Sequence, residues 1–287
     1  MISGNTKICG LIGDPVGHSV SPVMHNTAFS KLGLDYIYIP FRVEAENLAR
    51  AIDGLKAFNI RGLNVTIPHK VAVIPLLDEL EPLAGKIGAV NIIVNNNGIL
   101  KGYNTDAGGF LKALLERGVE PKGKKAVILG AGGASRAISF TLAERGAEIV
   151  ILNRKLEMNW AVELATSISQ STAREVKALE LNEKNLSSVM EAADILVNAT
   201  SVGMNPDSNN SPLPARLLKP DLVVFDVVYN PLKTRLLAEA EAAGAETISG
   251  IEMLVWQGAL AFELWTGVKA PIYIMKTKAI EALNYED

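Results

Sequence analysis

The sequence has little of what marks disulfide-stapled, metal-binding or membrane proteins. It contains a single cysteine, Cys9, which excludes an internal disulfide and favours a reducing compartment. Its three histidines, His18, His25 and His69, fit no HExxH motif or Cys/His ligand spacing, so we expect no metal site. No stretch reaches the ~18 consecutive apolar residues of a membrane span, and the N-terminal residues lack the long apolar run of a signal peptide. We therefore expect a cytoplasmic protein without a membrane partner.

An excess of charge of one sign is also missing. The 28 Lys and Arg residues nearly balance the 31 Asp and Glu residues, which gives a net charge of -3. Proteins that bind nucleic acids usually carry a basic patch or stripe, so this balance argues against a nucleic-acid partner. The 287 residues, of which 48% are hydrophobic, suffice for one large domain or two ordinary ones.

Apolar runs that alternate with helical patterns predict an α/β fold. In the first hundred residues, Ala89–Val94 and Ile99–Tyr103 flank an Asn/Gly-rich turn, which is typical of an antiparallel pair in a mixed sheet. Beyond residue 106, continuous apolar strands alternate with helices, as in a parallel sheet covered on both faces. We predict an N-terminal mixed-sheet domain over 1–105 and a C-terminal Rossmann-like dinucleotide-binding domain over 106–270. A last helix at about 271–287 is expected to pack back on the first domain.

A glycine-rich turn follows the predicted strand Lys124–Leu129. It consists of Gly130, Ala131, Gly132, Gly133 and Ala134. The first glycine permits a tight turn, the second lets a pyrophosphate approach the backbone, and the following helix offers its N-terminus to an anion. Ser135 stands at the third fingerprint position, where glycine or alanine is usual. A plain strand-to-helix turn is the alternative, but the flanking strand and helix favour a dinucleotide site.

The next predicted strand ends in Asn153, Arg154 and Lys155. An NAD-binding protein usually carries an acidic residue at this place to bind the ribose 2′-hydroxyl. An amide and two cations suit a 2′-phosphate instead, with Arg154 able to make a paired contact. The alternative is a solvated basic loop. The position at the strand end favours NADP as cofactor.

Three polar segments of the first domain are candidates for substrate binding and catalysis. Ser19 and Ser21 precede a predicted helix and could hold a carboxylate, although Ser21 as a helix cap is the simpler interpretation. Lys70 follows a predicted strand end and is a candidate proton donor and acceptor, although a lone lysine is usually a surface charge. Asp106 lies at a strand-to-helix junction, where it could cap the helix or pair with Lys70.

Taken together, the motifs resemble the shikimate dehydrogenase (shikimate/quinate dehydrogenase) family over nearly the whole chain. In order they are SVSPVMHN, NVTIPHK, GAVN, GYNTD, GAGGASRA, NRK, NATSVGM, DVVYNP and GIEMLVWQGA. The resemblance implies a substrate domain followed by a Rossmann domain. It also implies NADP-dependent, reversible reduction of 3-dehydroshikimate to shikimate, in chorismate and aromatic amino acid biosynthesis. This chain has Lys155 where the family often has threonine, which leaves the NADP preference open.

The resemblance also implies roles for individual residues. Lys70 and Asp106 would form the catalytic pair. The substrate-binding residues would be Ser19, Ser21, Asn64, Thr66, Lys70, Asn91, Asp106, Tyr229 and Gln257. The nicotinamide side of the cofactor would be lined by Thr200, Ser201, Met204, Val227 and Gly250. From the residues alone, Asn91 could merely satisfy a turn, and Gln257 could be a surface residue.

Two other functions stay open at this point. One is a dual shikimate/quinate dehydrogenase that uses NAD or NADP. The other is a ligand sensor that has kept the fold and lost turnover, against which the presence of both Lys70 and Asp106 argues. A homodimer is one possible assembly, which the sequence does not decide.

Overall fold

The computed structural model describes residues 2–284, which form two compact units. The first unit ends at Gly109 and resumes at Val255, and the second spans Phe110–Leu254. Each unit has its own six-stranded sheet within the described residues. The mixed α/β class predicted from the sequence is confirmed.

The first unit is built on a mixed sheet in the order β2-β1-β3-β5-β6-β4. Its strands are β1 Lys7–Gly13, β2 Tyr36–Arg42, β3 Gly62–Val65, β4 Glu79–Leu80, β5 Ile92–Asn96 and β6 Ile99–Tyr103. Strands β2, β1 and β3 run parallel, whereas β5 is antiparallel to both β3 and β6. Its helices are α1 Ser21–Lys31, α2 Leu48–Ala57, α3 His69–Ala72, α4 Pro82–Ile87 and the C-terminal α11 Ile272–Asn284.

The C-terminal segment supplies much of the core of this unit. Helix α11 packs against α1. The indole of Trp265 is 1% exposed, and its Nε1 donates to the carbonyl of Ile93 at 3.2 Å. A Cβ at Gly62 would lie 2.3 Å from that Nε1, so only glycine leaves room for the ring. This packing accounts for the second segment of the unit, which begins at Val255.

His25 lies in an aromatic cluster of the first unit. Its ring stacks on Tyr38 at 4.6 Å between centroids and also faces Phe262 and Trp265. Neither ring nitrogen has a hydrogen-bond partner among the described residues. Burial lowers the pKa of His25 to about 3, because a charged imidazole would lose its hydration without compensation. The ring therefore serves as a neutral, flat packing surface.

Because His25 is buried, we expect the free energy of unfolding to fall at acidic pH. Below pH ~6.5 the unfolded chain takes up a proton at His25 that the folded chain does not, so stability falls as the pH falls. Between pH 7 and pH 5 this histidine should lower the free energy of unfolding by about 2 kcal/mol. Denaturant titrations of wild type and His25→Phe should therefore give pH profiles that diverge by this amount. Parallel profiles would show that the ring is protonated in the folded protein.

The second unit has a fully parallel sheet in the order β12-β11-β10-β7-β8-β9. Its strands are β7 Lys125–Leu129, β8 Glu148–Asn153, β9 Val176–Glu180, β10 Ile195–Asn198, β11 Val223–Asp226 and β12 Glu246–Ser249. Its helices are α6 Gly133–Glu144, α7 Met158–Thr172, α8 Glu183–Met190 and α9 Arg235–Ala242. This is the strand order of a Rossmann fold, with the reversal between β7 and β10 where such folds bind dinucleotides.

Helices α5 Asp106–Glu116 and α10 Gly250–Thr266 each contain a boundary between the units. A short 3-10 turn, Ala45–Asn47, precedes α2. The last predicted helix, at about 271–287, is observed as α11, and residues 285–287 lie outside the described residues.

Within residues 2–284, no helix is both long and apolar enough to cross a membrane.

Candidate active site

A partly buried ion pair lies in the first unit, at the starts of two helices. Lys70 belongs to α3, the helix that follows β3, and Asp106 is the first residue of α5. The Lys70 Nζ lies 2.6 Å from Asp106 Oδ2, and the two side chains are 15% and 6% exposed. A carboxylate in the first turn of a helix is favoured by the helix dipole. The two residues predicted as a catalytic pair are thus in direct contact, and the lysine retains some access to solvent.

Backbone hydrogen bonds hold Lys70 and the nearby residue Asn91 in place. The carbonyl of Lys70 accepts from the backbone N–H of Val90 at 2.8 Å. The neighbouring Asn91 donates its backbone N–H to Tyr103 and accepts from Val65. Lys70 and Asn91 are therefore held by main-chain contacts that do not depend on their side chains.

The Asn91 amide connects the pair to other predicted site residues. Its Nδ2 donates to Asp106 Oδ1 at 2.9 Å and to Thr105 Oγ1 at 3.0 Å, and its Oδ1 accepts from the Thr105 backbone N–H at 2.7 Å. Asn91 Nδ2 also lies 3.4 Å from Gln257 Oε1, which Asn64 Nδ2 approaches to 3.5 Å. Asn64, Lys70, Asn91, Asp106 and Gln257 therefore form one polar network, which we call the amide network. Gln257 is 7% exposed, so the surface alternative for this residue is wrong.

The remaining predicted substrate-binding residues lie at three other places. Ser21 is the first residue of α1, where Val20 rather than Ser21 occupies the cap position. Ser19 Oγ accepts from the Ser21 backbone N–H at 3.3 Å, so both hydroxyls lie at the start of this helix. Thr66 is half-buried and directly follows β3. Tyr229 is half-buried and belongs to the second unit.

The predicted glycine turn follows β7 in the second unit. Gly130 has a φ of +98°, and a Cβ there would lie 3.0 Å from the carbonyl oxygen of Ala199. Gly132 is the N-cap residue of α6, and the space beside it is open. A Cβ added at Gly132 would meet no atom of the surrounding protein within 4 Å. Ser135 Oγ donates to the Gly130 carbonyl at 2.7 Å, so this departure from the fingerprint braces the turn. Open space at a helix N-terminus fits a pyrophosphate.

The predicted 2′-phosphate-binding residues lie at the end of β8, the strand next to β7. The Asn153 side chain donates to the carbonyl of Glu157 at 2.8 Å, which closes a tight turn. Arg154 is exposed and its guanidinium contacts the Glu157 carboxylate at 2.6 Å. Exposed ion pairs contribute little free energy, so this arginine can exchange its partner for a phosphate. Lys155 is exposed beside it, and the site fits a ribose 2′-phosphate.

Three comparisons with known proteins bear on these two sites. Family models match residues 11–93 (shikimate dehydrogenase substrate binding domain), 113–219 (shikimate/quinate 5-dehydrogenase) and 250–279 (shikimate 5′-dehydrogenase C-terminal domain). The shikimate dehydrogenase (NADP+) of Methanopyrus kandleri is 50% identical over 286 residues, which cover 99% of this chain and 98% of the relative. The chain belongs to the shikimate dehydrogenase family.

Solved structures agree with this membership. A shikimate dehydrogenase in complex with NADP+ superposes with a TM-score of 0.92 at 45% identity, covering 98% of this chain and 97% of that one. The Thermus thermophilus enzyme in complex with NADP(H) and shikimate gives a TM-score of 0.85 at 41% identity, covering 96% and 99%. The likeness therefore includes both units of the shikimate dehydrogenase fold.

Thr200, one of the predicted nicotinamide-side residues, belongs to a second polar network, which was not predicted from the sequence. Thr200 Oγ1 donates to Asn198 Oδ1 at 2.6 Å, and Asn198 Nδ2 donates to Asp226 Oδ1 at 2.9 Å. The other oxygen of Asp226 accepts from Thr234 Oγ1 at 2.7 Å. Burial raises the pKa of Asp226 to about 6, against the effect of these hydrogen bonds. Polar residues that end the apolar runs of β10 and β11 were the available signal.

The other nicotinamide-side residues differ in exposure. Ser201 and Met204 are exposed, and Val227 donates its backbone N–H to the carbonyl of Asn198 at 3.0 Å. A Cβ at Gly250 would lie 2.3 Å from the carbonyl oxygen of Val227, so this close approach requires glycine. In the described part of the chain, no group of three or more His, Cys, Asp or Glu side chains could hold a metal ion.

Proposed function

We propose that this chain is an NADP-dependent shikimate dehydrogenase, which reversibly reduces 3-dehydroshikimate to shikimate in chorismate and aromatic amino acid biosynthesis. The observation that carries the proposal is the contact of 2.6 Å between Lys70 Nζ and Asp106 Oδ2 inside the amide network. This pair supplies an ammonium and a carboxylate where a ring hydroxyl would exchange its proton. The first unit is then the substrate-binding domain and the second the NADP-binding domain.

The proton step is assigned to Lys70. NADPH, when bound, supplies a hydride to the ring carbonyl carbon, and that carbon–oxygen double bond becomes a single bond. Lys70 donates a proton from Nζ to the oxygen, and it accepts that proton in the reverse direction. Asp106 accepts a hydrogen bond from the ammonium through Oδ2, and its Oδ1 accepts from Asn91 Nδ2 at 2.9 Å. The carboxylate thus orients the lysine and balances its charge.

The remaining contacts are proposed from the family likeness and the positions of the side chains. Ser19 and Ser21 would bind the ring carboxylate at the start of α1, with Tyr229 as a further contact. The ring hydroxyls would be bound by Asn64, Thr66, Asn91, Asp106 and Gln257. Amide and hydroxyl groups can each donate and accept, which suits a ring that carries several hydroxyls.

The cofactor would be held by the second unit. Its pyrophosphate would lie over Gly130, Ala131, Gly132, Gly133 and Ala134. Its 2′-phosphate would contact Asn153, Arg154 and Lys155. Its nicotinamide side would be lined by Thr200, Ser201, Met204, Val227 and Gly250.

The test is an assay of the purified chain with shikimate or quinate, each combined with NADP or NAD, following the reduced cofactor by absorbance. The expected result is strong activity only with the combination of shikimate and NADP. Comparable rates with quinate or NAD would identify a dual shikimate/quinate dehydrogenase. Binding of shikimate and NADP by the folded protein without turnover would identify a sensor and overturn the proposal.

We also propose a cytoplasmic location and, as one possible assembly, a homodimer. The chain has a single cysteine, Cys9, and so few thiols suit a compartment that makes few disulfides. The thiol is buried and burial raises its pKa, which protects it from oxidation. Cell fractionation tests the location. Light scattering after size-exclusion chromatography tests the assembly.

A further inference from the structure

Tyr38 has a buried hydroxyl that points at a proposed substrate-binding residue. It lies in β2 and is 2% exposed. Its hydroxyl donates to Asn64 Oδ1 at 2.6 Å, within a fully buried contact. None of the roles assigned above to the family's motifs includes this tyrosine.

The position of Tyr38 is fixed from two sides. Its backbone N–H donates to Asn26 Oδ1 at 2.8 Å, and its carbonyl accepts from Asn26 Nδ2 at 2.9 Å. Its ring stacks on His25 with an interplanar angle of 12°. The hydroxyl is therefore aimed by the strand and by ring packing, and it needs little ordering when a ligand binds.

This hydroxyl and Gln257 Oε1 together hold the Asn64 amide in one orientation. A phenol that donates to Oδ1 leaves Nδ2 on the other side, where it approaches Gln257 Oε1 at 3.5 Å. Gln257 Oε1 also faces Asn91 Nδ2, at 3.4 Å. A reversed Asn64 amide would place two carbonyl oxygens against each other, which is repulsive in a buried site.

We propose that Tyr38 is a positioning residue for substrate binding, which holds the Asn64 amide in the place where its Nδ2 faces Gln257 and the amide network. The inference rests on the proposed function, because its readout is the binding of the ring. Tyr38 acts through Asn64 and is not a catalytic residue. Its loss should weaken the ring complex and leave the proton step at Lys70 in place.

The first test compares Tyr38→Phe with Tyr36→Phe. Tyr36 lies two residues earlier in the same strand, and its hydroxyl donates to the backbone carbonyl of Trp265 at 3.3 Å, outside the amide network. For Tyr38→Phe we expect the KM for shikimate to rise about tenfold, the size of one buried hydrogen bond, with kcat and the KM for NADP within about twofold of wild type. Tyr36→Phe should leave all three constants within about twofold.

The second test asks whether Tyr38 acts through Asn64. In an Asn64→Ala background, Tyr38→Phe should raise the KM for shikimate no further, since the amide that it orients is gone. An equal rise in both backgrounds would overturn the inference. So would an unchanged KM in Tyr38→Phe, or a loss confined to kcat. Wild type with no shikimate oxidation would instead refute the proposed function, whereas an active wild type beside an unaffected Tyr38→Phe would refute only the role of Tyr38.

Discussion

Replacing Lys70 with alanine should lower kcat for shikimate oxidation by about 10²- to 10⁴-fold, the usual contribution of a positioned acid–base group. The dissociation constant for shikimate should change by less than about tenfold, since the proposed serine, amide and hydroxyl contacts would bind most of the ring. Asp106 keeps its hydrogen bond from Asn91 and its place at the start of α5, so the site should stay folded. Steady-state kinetics give the first value, and titration calorimetry gives the second.

The matched control is Lys101→Ala. Lys101 lies in β6 of the same unit and pairs with Glu79 at 3.1 Å, away from the amide network. Its loss should leave kcat within about twofold of wild type, as expected for a half-exposed ion pair. A Lys70→Ala enzyme with full turnover would remove Lys70 from the proton step.

Replacing Arg154 with alanine should raise the KM for NADP by about 10- to 100-fold, because a charge-assisted hydrogen bond to a phosphate is lost. The KM for NAD should change by less than about threefold, since NAD has no 2′-phosphate for the guanidinium to bind. The preference for NADP over NAD is the ratio to measure, from kcat/KM with each cofactor at saturating shikimate.

Arg216→Ala is the control for this change. Arg216 is another exposed arginine of the second unit and pairs with Glu183. Its replacement should leave both KM values unchanged within about twofold. Equal losses with NADP and NAD in Arg154→Ala would mean that the arginine contacts a part that the two cofactors share, and the 2′-phosphate assignment would fail.

The sequence predicted the elements that have strong local signals. The segment Ile99–Tyr103 is observed as a strand with its predicted bounds, and the strand before the glycine turn differs from its prediction by one residue. Long amphipathic patterns and continuous apolar runs identify such elements, because these patterns lie within a short stretch of consecutive residues.

Short or peripheral strands were harder to predict. Strand β4 has two residues, and β9 and β12 are the outer strands of their sheet, with partly exposed side chains. An edge strand buries less of its surface, so its sequence carries a weaker apolar pattern. Strand β9 forms because it pairs with β8, and β12 forms because it pairs with β11. Such pairing between distant segments leaves no pattern in the local sequence.

Side-chain neighbours far apart in the sequence could be named only from the family likeness. Asn64 and Gln257 are separated by 193 residues, and the sequence alone left Gln257 open as a surface residue. The hydroxyl of Tyr38 had no motif to mark it, because its partner is fixed by the parallel pairing of β1 with β2 and β3. The Asn198–Asp226 contact likewise joins the ends of two parallel strands.

The division of the first unit between the two ends of the chain has a consequence for synthesis on the ribosome. Residues 2–109 emerge early, yet Gln257, Phe262 and Trp265, which are buried in the finished unit, are translated about 150 residues later. The second unit is continuous, so it can complete its fold while the first still waits for its final helices. Nascent chains stalled before residue 255 should therefore expose the N-terminal segment to chaperones and proteases, and protection should come only after the segment that begins at Val255 has left the ribosome.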